Sequence, residues 1–207
     1  MDSEKIFNAL NQIKISIDQH KDELEKLDQE IGDWDHIFNI QRGIKESLGL
    51  KDELSGQAAN EVLKKIGMKI MTTVGGSSGA LFATLLMGMS KKYNDELSDQ
   101  KNIAVMFTEG VEAMKKRGKS DLGEKTMLDV LIPVSNELQK LSDQEDVKHI
   151  AEKIKATAEK GMLSTKNLIA TKGRASFLGE RAKGHIDPGA RSSQLAIEAI
   201  CNTIIKT

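Results

Sequence analysis

A chain of 207 residues can bury a sizeable core, and its formal charge of −1 gives no reason to expect nucleic acid or an anionic membrane as partner. Two prolines, 3% aromatic residues and an abundance of Ala, Leu, Ile, Met, Lys and Glu argue for an all-α protein. β-Branched alternation is nearly absent, which argues against a sheet.

A lone cysteine, Cys201, excludes an internal disulfide and fits a reducing, cytoplasmic setting. The start Met1-Asp2-Ser3-Glu4-Lys5 is polar and acidic, unlike a secretory leader. The most apolar run, Ala80 to Met89, is too short to span a bilayer and reads as a buried core helix.

Ile6, Leu10, Ile13 and Ile17 mark one face of a first helix, which the pattern extends to Leu24 and Leu27. An aspartate-rich loop follows, and a second helix runs from about Phe38 to Leu48. Lys51 to Gly56 breaks it. A third helix carries Ala59, Val62, Leu63, Ile66 and Ile70. Val74-Gly75-Gly76-Ser77-Ser78-Gly79 then leads into the apolar fourth helix. Ser90 to Gln100 connects to a fifth helix with Ile103, Met106, Gly110 and Met114, ended by the segment Arg117 to Gly123. A sixth helix starts near Thr126 as N-cap, with Met127, Leu131, Val134, Leu138 and Leu141 on one stripe and Pro133 expected to kink it. Ser142 to Glu145 turns the chain into a seventh helix bearing Val147, Ala151, Ile154, Ala158 and Met162. A long loop, Lys172 to Ala190, precedes a final helix capped by Ser192 or Ser193 and apolar at Leu195, Ala199 and Ile200. No repeat or long linker interrupts the pattern, so residues 1–207 read as a single domain.

Eight helices with short connections favour antiparallel neighbours, an up-and-down closed helical barrel. The odd-numbered loops, Asp28–Asn39, Gly75–Gly79, Arg117–Gly123 and Lys172–Ala190, then share one rim. These are also the chemically unusual ones. The first concentrates Asp28, Asp33 and Asp35 beside His36 and Asn39. Carboxylates this close repel one another unless a cation lies between them, and oxygen ligands suit Mg²⁺ or Ca²⁺. Taken alone, the same stretch also reads as a solvated acidic turn. In the second loop, glycines admit a close ligand at a helix N-terminus, with Ser77 and Ser78 as donors. It is not a Walker A loop, because no lysine follows the glycines, and a simple capped turn is the alternative. The fourth loop carries Arg174, Arg181, Lys183 and Arg191, of which Arg174 is the favoured phosphate fork; a solvated surface loop is the alternative for each. Together the rim has the equipment for a nucleotide di- or triphosphate, with Met127 and Leu122 as candidates to line a slot for the base.

With these residues in place, the chain resembles the nucleotide-binding L subunits of the bacterial dihydroxyacetone kinases. Four blocks carry the resemblance: Leu27 to Asn39, Gly75 to Phe82, Arg117 to Asp129, and Gly173 to Ala190, the last being the most specific. The resemblance implies a barrel of eight antiparallel helices with ADP or ATP and paired Mg²⁺ at its rim. It implies Asp28, Asp33 and Asp35 as metal ligands. His36, Asn39, the backbone of Ile37 and Phe38, Ser77 and Ser78 would serve the phosphates. Gly118 and Met127 would lie near the base, while Arg174 and the turn Asp187-Pro188-Gly189 would close the site. The implied partners are a K subunit holding covalently bound dihydroxyacetone and a phosphotransferase M subunit that recharges the bound ADP. A homodimer is compatible with this reading. Two positions depart from the family pattern: Trp34 and Ile37 stand where it has glycine. If either needs positive φ, a bulky residue costs roughly 1–2 kcal/mol. Those departures leave a second reading open, a divergent nucleotide-binding or interaction module that transfers no phosphate.

Overall fold

The computed structural model describes residues 2–140 and 146–206. Among them are nine α-helices, two short 3-10 segments and no strand; one isolated antiparallel bridge joins Asp2 to Ala58. The helices are α1 (Ser3–Gln19), α2 (Lys21–Ile31), α3 (His36–Leu48), α4 (Ala59–Thr73), α5 (Gly76–Ser90), α6 (Asp99–Gly118), α7 (Leu128–Leu138), α8 (Val147–Ser164) and α9 (Pro188–Lys206). From α3 onward each helix packs on the next in chain order, α9 returns to α1, and α1 meets α3, so the ring closes. Among the described residues, no helix is long and apolar enough to cross a membrane.

The count differs from the expected eight because the first helix is two. Asp2 caps α1 by accepting from the Lys5 amide at 2.9 Å. At His20 the backbone leaves the helical region, and the ring Nδ1 lies 2.8 Å from the Ser16 carbonyl. This local side-chain bond competes with the helical ladder. The break gives α2 its own inward stripe, Leu24, Asp28 and Ile31, at helical spacing. A carboxylate is thereby carried into the interior on an otherwise apolar face.

Four larger apolar clusters fill the ring. Ile6 and Phe7 of α1 meet Val62, Leu63 and Ile66 of α4. Ile17, Leu24, Ile37, Ile44 and Leu195 join α1, α2, α3 and α9. Leu85, Val111, Met114, Met127 and Leu131 join α5, α6 and α7, and the α7–α8–α9 contact buries Val130, Val134, Ile150, Ile154 and Cys201. Each such side chain contributes about 1.5–3 kcal/mol when fully buried. Small residues set the closest approaches. A Cβ on Gly88 of α5 would lie 2.9 Å from the Gly110 Cα of α6, and one on Gly161 of α8 would lie 2.4 Å from the Asp129 carbonyl oxygen of α7. That carbonyl is the one Pro133 cannot pair with, and α7 continues through the proline.

The end of the chain also departs from expectation. The segment Lys172 to Ala190 is not one loop: Arg174–Ala182 is 3-10, bent at Gly179, and α9 already starts at Pro188. Ser192 and Ser193 are buried inside α9 and do not cap it. The cap is Asp187, whose Oδ2 accepts from the Ala190 amide at 2.8 Å. Asp before Pro at the first helical position is itself a start signal. α3 begins at His36 rather than Phe38. Leu141 and the turn Ser142 to Glu145 lie outside the described residues.

Candidate functional site

The first turns of α3, α5, α7 and α9 and the last turns of α2 and α6 converge on one cavity of about 760 Å³. Alternate helices therefore start at the same end of the ring. All four odd-numbered loops reach this cavity, as the sequence pattern predicts. Its volume lies within the usual range for small-molecule sites.

The acidic loop forms one wall. Oxygens of Asp28, Asp33 and Asp35 all lie within 4.8 Å of one another. Asp28 is buried and accepts from the His36 amide at 3.1 Å, which ties α2 to the first turn of α3. Gly32 is required for space: a Cβ there would overlap the Asp28 carboxylate. Asp33 receives the Arg174 Nε at 2.7 Å, an ion pair between the first and fourth loops. Burial pushes the Asp35 carboxyl above the usual range, and the neighbouring Asp33 charge adds to this. Three crowded carboxylates with one arginine among them form an oxygen donor set suited to a hard cation.

The other walls supply donors. α5 opens at Gly76 without a side-chain cap, so its first amides lack intrahelical partners and Ser77 and Ser78 line the cavity. Gly76 has φ +74°, and a Cβ there would lie 3.0 Å from Asn39 Nδ2 and 3.3 Å from Asp35 Oδ2. Asn39 is buried beside the Asp35 carboxylate, and its Nδ2 lacks a well-formed hydrogen bond. His36 turns its Nε2 to Ser192 Oγ at 3.0 Å, and burial holds its pKa below the ordinary histidine value. Gly118, Met127, Arg174, Asp187, Pro188 and Gly189 all line the cavity. Met127 also belongs to the core between α5 and α7.

One expected lining residue is elsewhere, and several side chains of the rim loops point away from the cavity. Leu122 is exposed and does not line the cavity, so Leu81 and Met114 accompany Met127 on the apolar side. The side chain of Ile37 points into the core with Ile17, Leu24, Ile44 and Leu195, and Phe38 is exposed; neither lines the cavity. Arg181 and Lys183 are exposed, and Arg191 forks onto Glu23 of α2.

The DAK2 domain family matches residues 30–202, a span that contains most of the cavity wall. The chain belongs to the DAK2 family of dihydroxyacetone kinase L subunits. It is similar to the ADP-binding subunit DhaL of PEP-dependent dihydroxyacetone kinase 1 of Listeria innocua, with 41% identity over 94% of this chain and 93% of that one. The ADP-binding subunit DhaL of the PTS-dependent kinase of Lactococcus lactis is 37% identical over 94% of each chain. The fold is similar to that of the C. freundii dihydroxyacetone kinase in its complex with AMP-PNP and Mg²⁺, with a TM-score of 0.74 and 20% identity. That alignment covers 95% of this chain and 33% of the kinase, so the chain spans about a third of that larger protein.

Against the DAK2 pattern, the two departures separate. Ile37 is helical and buried, so it needs no positive φ. Trp34 has φ +70° and is 63% exposed, so a bulky residue occupies a left-handed position between two of the clustered aspartates. Three residues of the third block, one of them in the cavity wall, have structural roles that the sequence does not announce. Asp129 accepts from the Gly123 and Thr126 amides at 2.6 and 2.8 Å and shapes the third loop. Glu124 binds Thr171 Oγ1 at 3.0 Å and pairs with Lys172, joining the third loop to the fourth. Lys125 is 1% exposed. Its burial, in a stretch dense with charged residues, has no periodic signature.

Proposed function

We propose that the chain is the nucleotide-binding subunit of a phosphoenolpyruvate-dependent dihydroxyacetone kinase, a single helical-barrel domain with its site at one rim. The observation that carries this reading is the convergence of a three-carboxylate cluster, an uncapped helix N-terminus and Arg174 on one cavity. The relatives named as ADP-binding subunits, similar over nearly their full length, support it.

The donor set fits Mg²⁺: the oxygens are close enough for a shared site, and the buried Asn39 amide beside them, without a well-formed hydrogen bond, suits a phosphate oxygen. Asp28, Asp33 and Asp35 would hold paired Mg²⁺, which when bound neutralises phosphate charge. The α5 amides, Ser77, Ser78 and Asn39, with the first turn of α3 from His36 through the Ile37 and Phe38 backbone, would orient the phosphates of ADP or ATP. His36, its ring bonded to Ser192 and its pKa lowered by burial, would hold that turn in place. Arg174 would turn from Asp33 to the transferred group, and Met127 and Gly118 would receive the base. The acceptor would be dihydroxyacetone on a partner K subunit, with the bound ADP recharged by an M subunit. Phosphoryl transfer asks mainly for such positioning and charge neutralisation.

Calorimetry tests the site. Wild-type protein binds ADP with Mg²⁺, and Asp33→Ala or Asp35→Ala abolishes the binding; unchanged affinity in both variants refutes the metal assignment. Trp34, strained and exposed between two of the aspartates, favours the second reading, a module that binds nucleotide without transferring phosphate. Steady formation of dihydroxyacetone phosphate with added K and M subunits removes that second reading.

A further inference from the structure

Lys125 is a nearly fully buried lysine at the cavity wall, with left-handed backbone at φ +60°. Its Nζ donates to two backbone carbonyls on separate segments, Thr165 at the end of α8 and His185 before α9. The same two segments meet again where the Asp187 amide donates to Thr165 Oγ1 at 3.1 Å and the Gly184 amide donates to the Lys166 carbonyl at 2.8 Å. The charges of Asp187 and Asp129 both act on the ammonium. Asp187 caps α9, and Pro188 and Gly189 follow it directly into the cavity wall.

We propose that Lys125 is a positioning residue for the nucleotide site, acting through the Asp187-Pro188-Gly189 turn, which its two carbonyl bonds clamp to the end of α8. This rests on the nucleotide-binding reading above. A buried ammonium is costly unless hydrogen-bonded, and here its bonds go to loop backbone rather than to a packing partner. The charge thus ties this wall segment to the end of α8. Met at this position keeps much of the volume and removes both bonds.

Hydrogen exchange on the unliganded protein tests the clamp. In Lys125→Met the amides between 184 and 190 exchange faster, while those of α4 and α5 do not change. Should that variant fail to fold, Thr165→Val, which cuts the companion bond to the Asp187 amide, loosens the same amides. Binding of ADP with Mg²⁺ by the Lys125→Met protein weakens by about 10- to 100-fold, as expected when a binding wall is misplaced. Ile154→Ala, in the core between α7 and α8, serves as the control: it lowers the melting temperature and leaves affinity unchanged. Unchanged exchange at 184–190 overturns the proposal, as does an equal loss of affinity in the control. If wild-type protein binds no ADP, the functional reading fails, and the exchange experiment still decides the clamp.

Discussion

At Trp34 the backbone and the side chain disagree. L-residues avoid φ near +70° because Cβ crowds the following carbonyl, at a cost of roughly 1–2 kcal/mol. The indole is largely in solvent, so little packing offsets that cost. Trp34→Gly is therefore expected to stabilise the unliganded protein by about 1 kcal/mol, while Trp34→Ala gives no comparable gain because Ala also carries a Cβ. Thermal melts of both variants check this. Asp187 sits in the opposite kind of tension: burial pushes its carboxyl up to about 7, against the pull of the Ala190 amide and Lys125. A folded pKa above the unfolded one means that the folded chain holds this proton more tightly. The associated stability is complete below the ordinary carboxylate value and is lost as pH rises through about 7. Asp187→Asn keeps an N-cap and removes the titration, so its melting temperature should gain on wild type between pH 5 and pH 8. A difference independent of pH would contradict the assigned cause.

Between elements, spacing is set where Cβ atoms are missing. α8 reaches α7 at Gly161, where an added Cβ would lie 2.4 Å from the Asp129 carbonyl oxygen. Backbone cannot swing aside as a side chain can, so Gly161→Ala should destabilise by about 1–3 kcal/mol despite its better helix propensity. Denaturant unfolding measures it. The variant should also disturb the third loop, because the Asp129 side chain organises Gly123 and Thr126. The helices themselves are largely legible from periodicity: α4, α6 and α8 bury most of the residues their apolar stripes mark, while Ile70 is only partly buried and Ile103 and Val147, near the starts of α6 and α8, are exposed. The His20 break is not legible, because no Gly or Pro announces it and a ring-to-carbonyl bond makes it. The start of α9 was misplaced although its signals, Asp187 and Pro188, stand in the chain; a turn and a helix start share those residues.

Across the whole molecule, closure of the ring brings four distant loops to one cavity. A ligand held by all four walls binds the folded state alone, so it raises stability by mass action, about 2.7 kcal/mol at a hundredfold excess over its dissociation constant. Melting in the presence of ADP and Mg²⁺ should rise by several degrees, and ADP without Mg²⁺ should give a smaller shift. Equal shifts with and without the ion would speak against a metal held by the aspartate cluster.

The helical class, the identity of the rim loops and their common end follow from the sequence alone. Helical periodicity is a local property, and an up-and-down chain must place alternate loops together. The place of the carboxylates, serines and Arg174 at this cavity is readable because residue type and loop order are both written in the sequence. Only the tertiary structure shows that Asp28 is buried on an inward stripe, that Ile37 is core while Trp34 is left-handed and exposed, and that Lys125 donates to two distant backbone carbonyls. Each of those depends on what a residue meets from far along the chain, and no local pattern encodes that.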